Sequence, residues 1–318
     1  MRGWSIVAAL VLTAAAAPGT WDWHGVAPPP VPADNPMSQA KVYLGRRLFY
    51  DADLSADGTI ACATCHEQKH AFADGNRTHP GVTGEAGRRN VPGLANVAWI
   101  APLTDADPRQ TTLEAQVSTP VTGTHPIEMG MAGRTGEIAA RLGADPCYRA
   151  MFAAAFPGDG RIDFIHIARA LASFERTLIS HGSAWDRGGL TGPAAAGAML
   201  FARDCAACHA GPNFSDGAYH RLGAVDPTAP DQGAFEVTGR AADRGRFRTP
   251  SLRNVALTGP WWHDGSASTL AEAIARHGTP YDAADTAQLV AFLGAFSDPE
   301  FTRRVSLSLP VEACGKPL

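Results

Sequence analysis

The pentapeptide Cys-X-X-Cys-His occurs twice in this 318-residue chain, as Cys62-Ala-Thr-Cys65-His66 and Cys205-Ala-Ala-Cys208-His209. It is the attachment signal for c-type haem: two thiols add across the porphyrin vinyl groups, and the adjacent histidine is delivered to the iron. A zinc site built on Cys-X-X-Cys would want a second pair close by, whereas these motifs lie 143 residues apart. Cys62, Cys65, His66, Cys205, Cys208 and His209 are therefore read as the anchors of two covalent haem c groups.

A chain that encloses two porphyrins needs helices joined by long loops. The 33 glycines and 24 prolines suit that better than a sheet, and strand signals are few. Short amphipathic helices precede both motifs. The first spans 38–50, with Ser38 as N-cap and Val42, Leu44, Leu48 and Phe49 near one face. The second spans 193–203, with proline in its first turn. A Phe-X-Asp-Gly turn follows each motif, at 72–75 and 214–217, and an Arg-Asn-Val recurs at 89–91 and 253–255. This weak repetition predicts a mainly α fold of two tandem cytochrome c-like haem domains. The strongest helical periodicity, 163–180, is expected to stop at Gly182, and further helices are expected at 269–276 and 285–296. The expected divisions are 18–35 as an N-terminal extension, 36–187 as the first haem domain and 188–318 as the second.

Residues 1–17 read as a secretory signal, with Arg2 ahead of the apolar run 6–12 and small residues at 14–17. The run is too short to span a bilayer, so export to the periplasm is expected and stable membrane insertion is not. The formal charge is −4, and the absence of a Lys/Arg run argues against nucleic acid. Cys147 and Cys314 are left over. In an oxidising compartment they pair if their Cα atoms come close enough; otherwise they are two unrelated thiols.

Several longer runs carry a resemblance: 44–50 (Leu-Gly-Arg-Arg-Leu-Phe-Tyr), 58–66, 125–130 (His-Pro-Ile-Glu-Met-Gly), 172–178 (Ala-Ser-Phe-Glu-Arg-Thr-Leu), and 249–258 leading to His263-Asp-Gly-Ser266. Over residues 33–300 the chain resembles the bacterial di-haem cytochrome c peroxidases, and most closely their MauG-like branch. The runs at 125–130 and 103–108 look like the subgroup around MbnH, whose enzyme oxidises a tryptophan on a partner protein in a copper-handling pathway.

The resemblance implies a peroxide-reacting first haem with His66 proximal. Glu128 then matches the distal acid–base group, and Gln116 and Pro120 match distal-pocket positions. Some members hold a loop histidine on this iron; here that position is Val82, with His79 three residues away. For the second haem, with His209 proximal, the sixth ligand falls eight residues after Thr269, at His277, where relatives carry Met or Tyr; Tyr281 is the back-up. A calcium ion between the haems would take Asn90, Thr258 and Pro260. The family's inter-haem tryptophan falls on Asp105, so Trp99, Trp261 and Trp262 become alternative relays or simply core residues. The expected function is an exported peroxidase that uses H2O2 to form a high-valent di-haem state and oxidises an aromatic residue of a partner protein. The alternatives are a cytochrome c peroxidase fed by a small redox protein, and a non-enzymatic di-haem electron carrier.

Overall fold

In the computed structural model the described residues are 21–317, so the segment read as an export signal lies outside them. Their α-helices are, in order, α1 Gln39–Phe49, α2 Cys62–Cys65, α3 Leu113–Gln116, α4 Ser118–Thr122, α5 Thr135–Ala144, α6 Pro146–Ala155, α7 Phe164–Glu175, α8 Ala184–Arg187, α9 Gly192–Asp204, α10 Phe235–Thr238, α11 Leu270–Ala275 and α12 Ala283–Gly294. Two small antiparallel hairpins complete them, β1 Tyr219–His220 with β2 Phe247–Arg248, and β3 Glu312–Ala313 with β4 Lys316–Pro317. No described helix is long and apolar enough to cross a membrane. The expected cap is in place, Ser38 accepting from the Lys41 N–H, and Asp163, where the 163–180 run starts, caps its helix by accepting from the His166 N–H, satisfying donors that open a helix. α5 and α6 had no expectation in the sequence. α7 ends at Glu175, several residues before Gly182.

The architecture rests on two helix crossings of the same kind. α1 packs on α7 where Gly45 meets the Ala170 carbonyl and Phe174; a Cβ on Gly45 would stand 1.9 Å from that oxygen. α9 packs on α12 where Gly197 meets the Gln288 carbonyl and Phe292, at 2.0 Å. Neither site tolerates a side chain, because the backbones themselves are in contact. Four residues beyond each glycine stands a phenylalanine, Phe49 or Phe201, whose ring faces the haem-motif histidine at 6.5 and 6.4 Å between centroids.

These contacts set the register of the repeat and correct the one expected from Arg-Asn-Val. The structural counterpart of Asn254 is Asn96, not Asn90. Both lie in the left-handed region, with φ of 59° and 56°, a conformation asparagine tolerates better than most residues. Each starts a 3-10 turn, and each donates its N–H to the chain just past the crossing helix, to Phe296 and Leu178. Residues 170, 174 and 178 thus correspond to 288, 292 and 296.

The tail assigned above to the second domain crosses back to the first. Phe301, Leu307 and Ala313 belong to the hydrophobic cluster built on α1 and α7, Phe301 meets Phe72 at 5.4 Å, and the Tyr43 and Tyr50 hydroxyls donate to the carbonyls of Glu312 and Leu307. The Cys147–Cys314 disulfide, left open by the sequence, is formed and closes this tail onto α6, with the Cα atoms 5.8 Å apart.

Candidate functional site

Each haem motif ends in a histidine held by the turn that follows it. His66 Nδ1 donates to the Phe72 carbonyl at 2.8 Å, and His209 Nδ1 donates to the Phe214 carbonyl at 3.0 Å. Both phenylalanines adopt positive φ, 62° and 52°, which turns the carbonyl back toward the ring. The Phe-X-Asp-Gly repeat is therefore a device that fixes the imidazole tautomer and leaves Nε2 as the ligand atom, as bonded histidines at metal sites generally are. Burial holds both imidazoles below the ordinary histidine range, so both are neutral, the form that binds a metal.

Around His66 opens a cavity of about 300 Å³, lined also by Cys62, Cys65, Gln116, Pro120, Glu128 and Glu175. Gln116 ends α3 and Pro120 lies in α4. The loop that carries Glu128 returns to them because the Met129 N–H donates to the Pro120 carbonyl and the Met131 N–H to the Val121 carbonyl. On its other side the Val82 N–H donates to the Glu128 carbonyl at 2.8 Å. Gly81 permits this approach, since a Cβ there would stand 1.8 Å from the Ile127 carbonyl oxygen. Burial raises the Glu128 carboxyl above its ordinary range, and the nearby His79 opposes the shift. Val82, at the place of the loop ligand in some relatives, packs against the hydrophobic cluster. His79 lines the cavity rather than the outer surface, and its Nδ1 donates to the Pro80 carbonyl.

The second motif is built differently on its far side. The His277 ring stands 6.4 Å from the His209 ring, centroid to centroid. Its Nδ1 donates to the Ala273 carbonyl at 2.8 Å, which leaves Nε2 free. Two imidazoles bound through bonds of about 2.0–2.1 Å on opposite sides of one metal have centroids about 6 Å apart. Tyr281, the back-up, donates its hydroxyl to Asp204 instead. The proximal turn is secured by Arg253, which pairs with buried Asp186 at 2.7 Å and lies over the Phe214 ring.

The cavity and the histidine pair suit two haem groups. Besides the motif thiols, the buried Arg248 Nε has no hydrogen-bond partner, a cost that an acidic porphyrin substituent would relieve. The three oxygen donors expected for calcium also suit a hard cation. The Asn90 amide N–H2 donates to the carbonyls of Asn76 and Arg77, which leaves its oxygen free, and no backbone N–H among the described residues donates to the carbonyls of Thr258 or Pro260.

The aromatic relays fall out unevenly. Trp99 faces away, donating to the Ala27 carbonyl and meeting Trp23 at 6.2 Å. Trp261 donates to the Val255 carbonyl and packs on the second cluster. Trp262 stands edge-on to His277 at 5.7 Å. A chain of rings runs on from it to His263 and to Phe247, which stacks on His263 at 3.9 Å. Next to Phe247, Arg248 pairs with Asp105 on the wall of the first cavity.

Residues 39–194 match the family model of the di-haem cytochrome c peroxidases. The chain is 36% identical to the methylamine utilization protein MauG of Methylorubrum extorquens over 256 residues, 78% of this chain and 71% of that protein. The chain belongs to the di-haem cytochrome c peroxidase family. It falls in the MauG-like branch and is an oxidoreductase acting on H2O2 with two haem c groups. The cytochrome c551 peroxidase of Nitrosomonas europaea is 32% identical, over 86% of this chain and 85% of that one. A crystal structure of a MauG-like protein associated with microbial copper homeostasis superposes with a TM-score of 0.86 at 36% identity, covering 92% of this chain and 99% of that chain.

Three features of the site escaped sequence reading. The Phe72 and Phe214 carbonyls carried a signal, the repeated turn. Trp262 was one of three equivalent candidates until its neighbour was known. Glu175 falls inside the 172–178 run that carries the resemblance, but by periodicity it sits in a helix that reads as core, and no role was assigned to it.

Proposed function

We propose that this protein is an exported peroxidase whose first haem meets H2O2 and whose oxidising equivalents, shared with the second haem, are spent on an aromatic residue of a partner protein. The observation that carries the reading is the asymmetry of the two sites. His66 faces an acid-lined cavity, whereas His209 faces a second imidazole at 6.4 Å. A pure electron carrier has both irons six-coordinate, while a peroxidase keeps one position open.

The haems, when bound, supply the redox chemistry with peroxide. The chain supplies the rest. His66 and His209 would hold the irons of the two haems, each oriented by a phenylalanine carbonyl, and His277 would join His209 in holding the second. Glu128 would move a proton from one peroxide oxygen to the other, the task of a positioned acid–base group. Gln116 orients the peroxide and Pro120 shapes its approach. With Val82 at that position, packed against the hydrophobic cluster, the first site needs no displacement of a loop ligand. Asn90, Thr258 and Pro260 would hold a calcium ion. The chain divides near residue 187 into two cytochrome c-like units, the second returning its tail to the first, and it works in the periplasm.

A bis-imidazole second haem lacks the potential-raising thioether, which favours protein oxidation over the alternative of detoxification with electrons from a small cytochrome. The copper-linked neighbour makes a copper-handling protein the first partner to try. The test is to mix holoprotein, H2O2 and a candidate partner, then read residue masses. A gain of one oxygen on one partner Trp or Tyr, R–H + H2O2 → R–OH + H2O, is expected at roughly stoichiometric peroxide. Peroxide consumption only in the presence of a reduced cytochrome, with no partner modified, supports the alternative.

A further inference from the structure

The repeat built on the two glycine crossings allows a comparison between the halves of the chain. Position 174 corresponds to 292 and 178 to 296, so Glu175 corresponds to Leu293. Leu293 is buried and apolar, 7% exposed, and Glu175 is equally buried at 8%. The helix end therefore packs well with leucine, and the carboxyl in the first half is not required by the fold. It carries a desolvation cost that leucine would avoid. Residues held against such a cost cluster at functional sites.

The Glu175 carboxyl lines the same cavity as Glu128, and both lie close enough to Cys62 to act on it electrostatically. No hydrogen bond from the described residues reaches it. Its neighbour Arg176 is taken by Glu114, at 2.9 Å. Burial raises the Glu175 carboxyl to about 8, Arg176 opposing and Glu114 adding to the shift. Burial without a partner from the chain thus favours the protonated acid, and its place on the cavity wall leaves its O–H available to the contents of the cavity.

We propose that Glu175 is a second proton donor of the peroxide cavity, serving the oxygen left after peroxide is cleaved; the inference rests on the peroxidase reading above. Full reduction is H2O2 + 2 e⁻ + 2 H⁺ → 2 H2O. The O–O bond breaks, and the electrons come from the protein or small redox partner that the peroxidase oxidises. Glu128 only moves a proton already on peroxide, so its step consumes none. Two protons must therefore enter the cavity. The Glu175 O–H bond breaks to supply one and solvent water supplies the other, the two O–H bonds of a water molecule form, and the carboxylate regains its proton from solvent between turnovers.

Two variants of the holoenzyme test this. Glu175→Gln keeps the shape without the proton, and Glu175→Leu copies Leu293, a residue the same helix end already accommodates. Infrared spectra of the resting protein should show a protonated-carboxyl C=O band that shifts in D2O, vanishes in both variants and persists in a Glu128→Gln protein. Steady-state turnover with H2O2 and an artificial reductant should lose about 10²-fold in kcat, with KM for peroxide little changed. Survival of the band in both variants, or wild-type kcat in both, overturns the proposal. So does a fall in kcat accompanied by loss of the ferric spectrum of the first haem, which would make Glu175 a holder of the haem. A wild-type protein that consumes no peroxide overturns the peroxidase reading itself, whereas a peroxide-active protein slowed by Glu128→Gln and untouched at Glu175 overturns only this inference.

Discussion

Replacing Glu128 by glutamine keeps the volume and hydrogen-bonding reach of the side chain while removing its exchangeable acid proton, so it isolates acid–base work from shape. A positioned group of this kind contributes about 10²–10⁴-fold to a rate, or about 3–5 kcal/mol of barrier. The setting favours a full effect, because the main chain that carries the carboxyl is held on both sides, by the Val82 N–H on the Glu128 carbonyl and by the Met129 N–H on the Pro120 carbonyl. The pH dependence follows from the same burial. Glu128 must be ionised to accept the first peroxide proton, and its carboxyl lies above the ordinary value of 4.5. The wild-type rate should therefore fall as pH drops through that raised value, and the acid limb should vanish in Glu128→Gln. His79 favours the carboxylate, so His79→Gln should move the limb to higher pH while leaving the plateau in place. Stopped-flow loss of the ferric absorbance against peroxide concentration, across the acid to neutral range, gives the second-order constants directly. A glutamine variant that reacts as fast as wild type, or that keeps the acid limb, refutes the assignment.

Three other perturbations bear on different parts of the molecule. His277→Ala should turn the second haem from low-spin to high-spin or water-ligated, with the first haem's spectrum intact; a methionine–iron charge-transfer band in wild type, or an unaltered low-spin signal in the variant, rules the ligand out. Trp262→Phe should slow equilibration between the haems after peroxide addition, since the ring nearest His277 at 5.7 Å becomes harder to oxidise; unchanged kinetics would remove it from the path. Cutting the disulfide with Cys147→Ser and Cys314→Ser opens a loop of 167 residues in separation and should cost about 2–5 kcal/mol, read as a lower denaturant midpoint and early proteolysis of the tail. A midpoint equal to wild type counts against a structural role.

How much of this was legible in the chain depends on how local the determining interactions are. Haem attachment is written in five contiguous residues, and a helix start is written in one cap and the N–H groups just after it. Cys62 to His66, Cys205 to His209 and the Ser38 cap are therefore assigned by the sequence alone. The positions of Glu128, Gln116, Pro120 and His277 came from resemblance. The structure adds the contacts that bring the first three to one cavity and set His277 across from His209. What the sequence could not reveal are meetings of residues far apart along the chain. The true partner of Asn254 in the repeat, the return of the tail to α1, the retreat of Trp99 from the haems and the formed Cys147–Cys314 bond each depend on segments separated by tens to hundreds of residues. Glu175 shows the limit most sharply. It lies in a run that carries the family resemblance, yet by periodicity it is one more residue on a core helix; the two glycine crossings, by setting it opposite Leu293, reveal a charge-bearing group where leucine would pack as well. The chain by itself determined where the haems attach, because that chemistry is covalent and local; only the tertiary structure decided which acids face them, because burial and electrostatics belong to the packed whole.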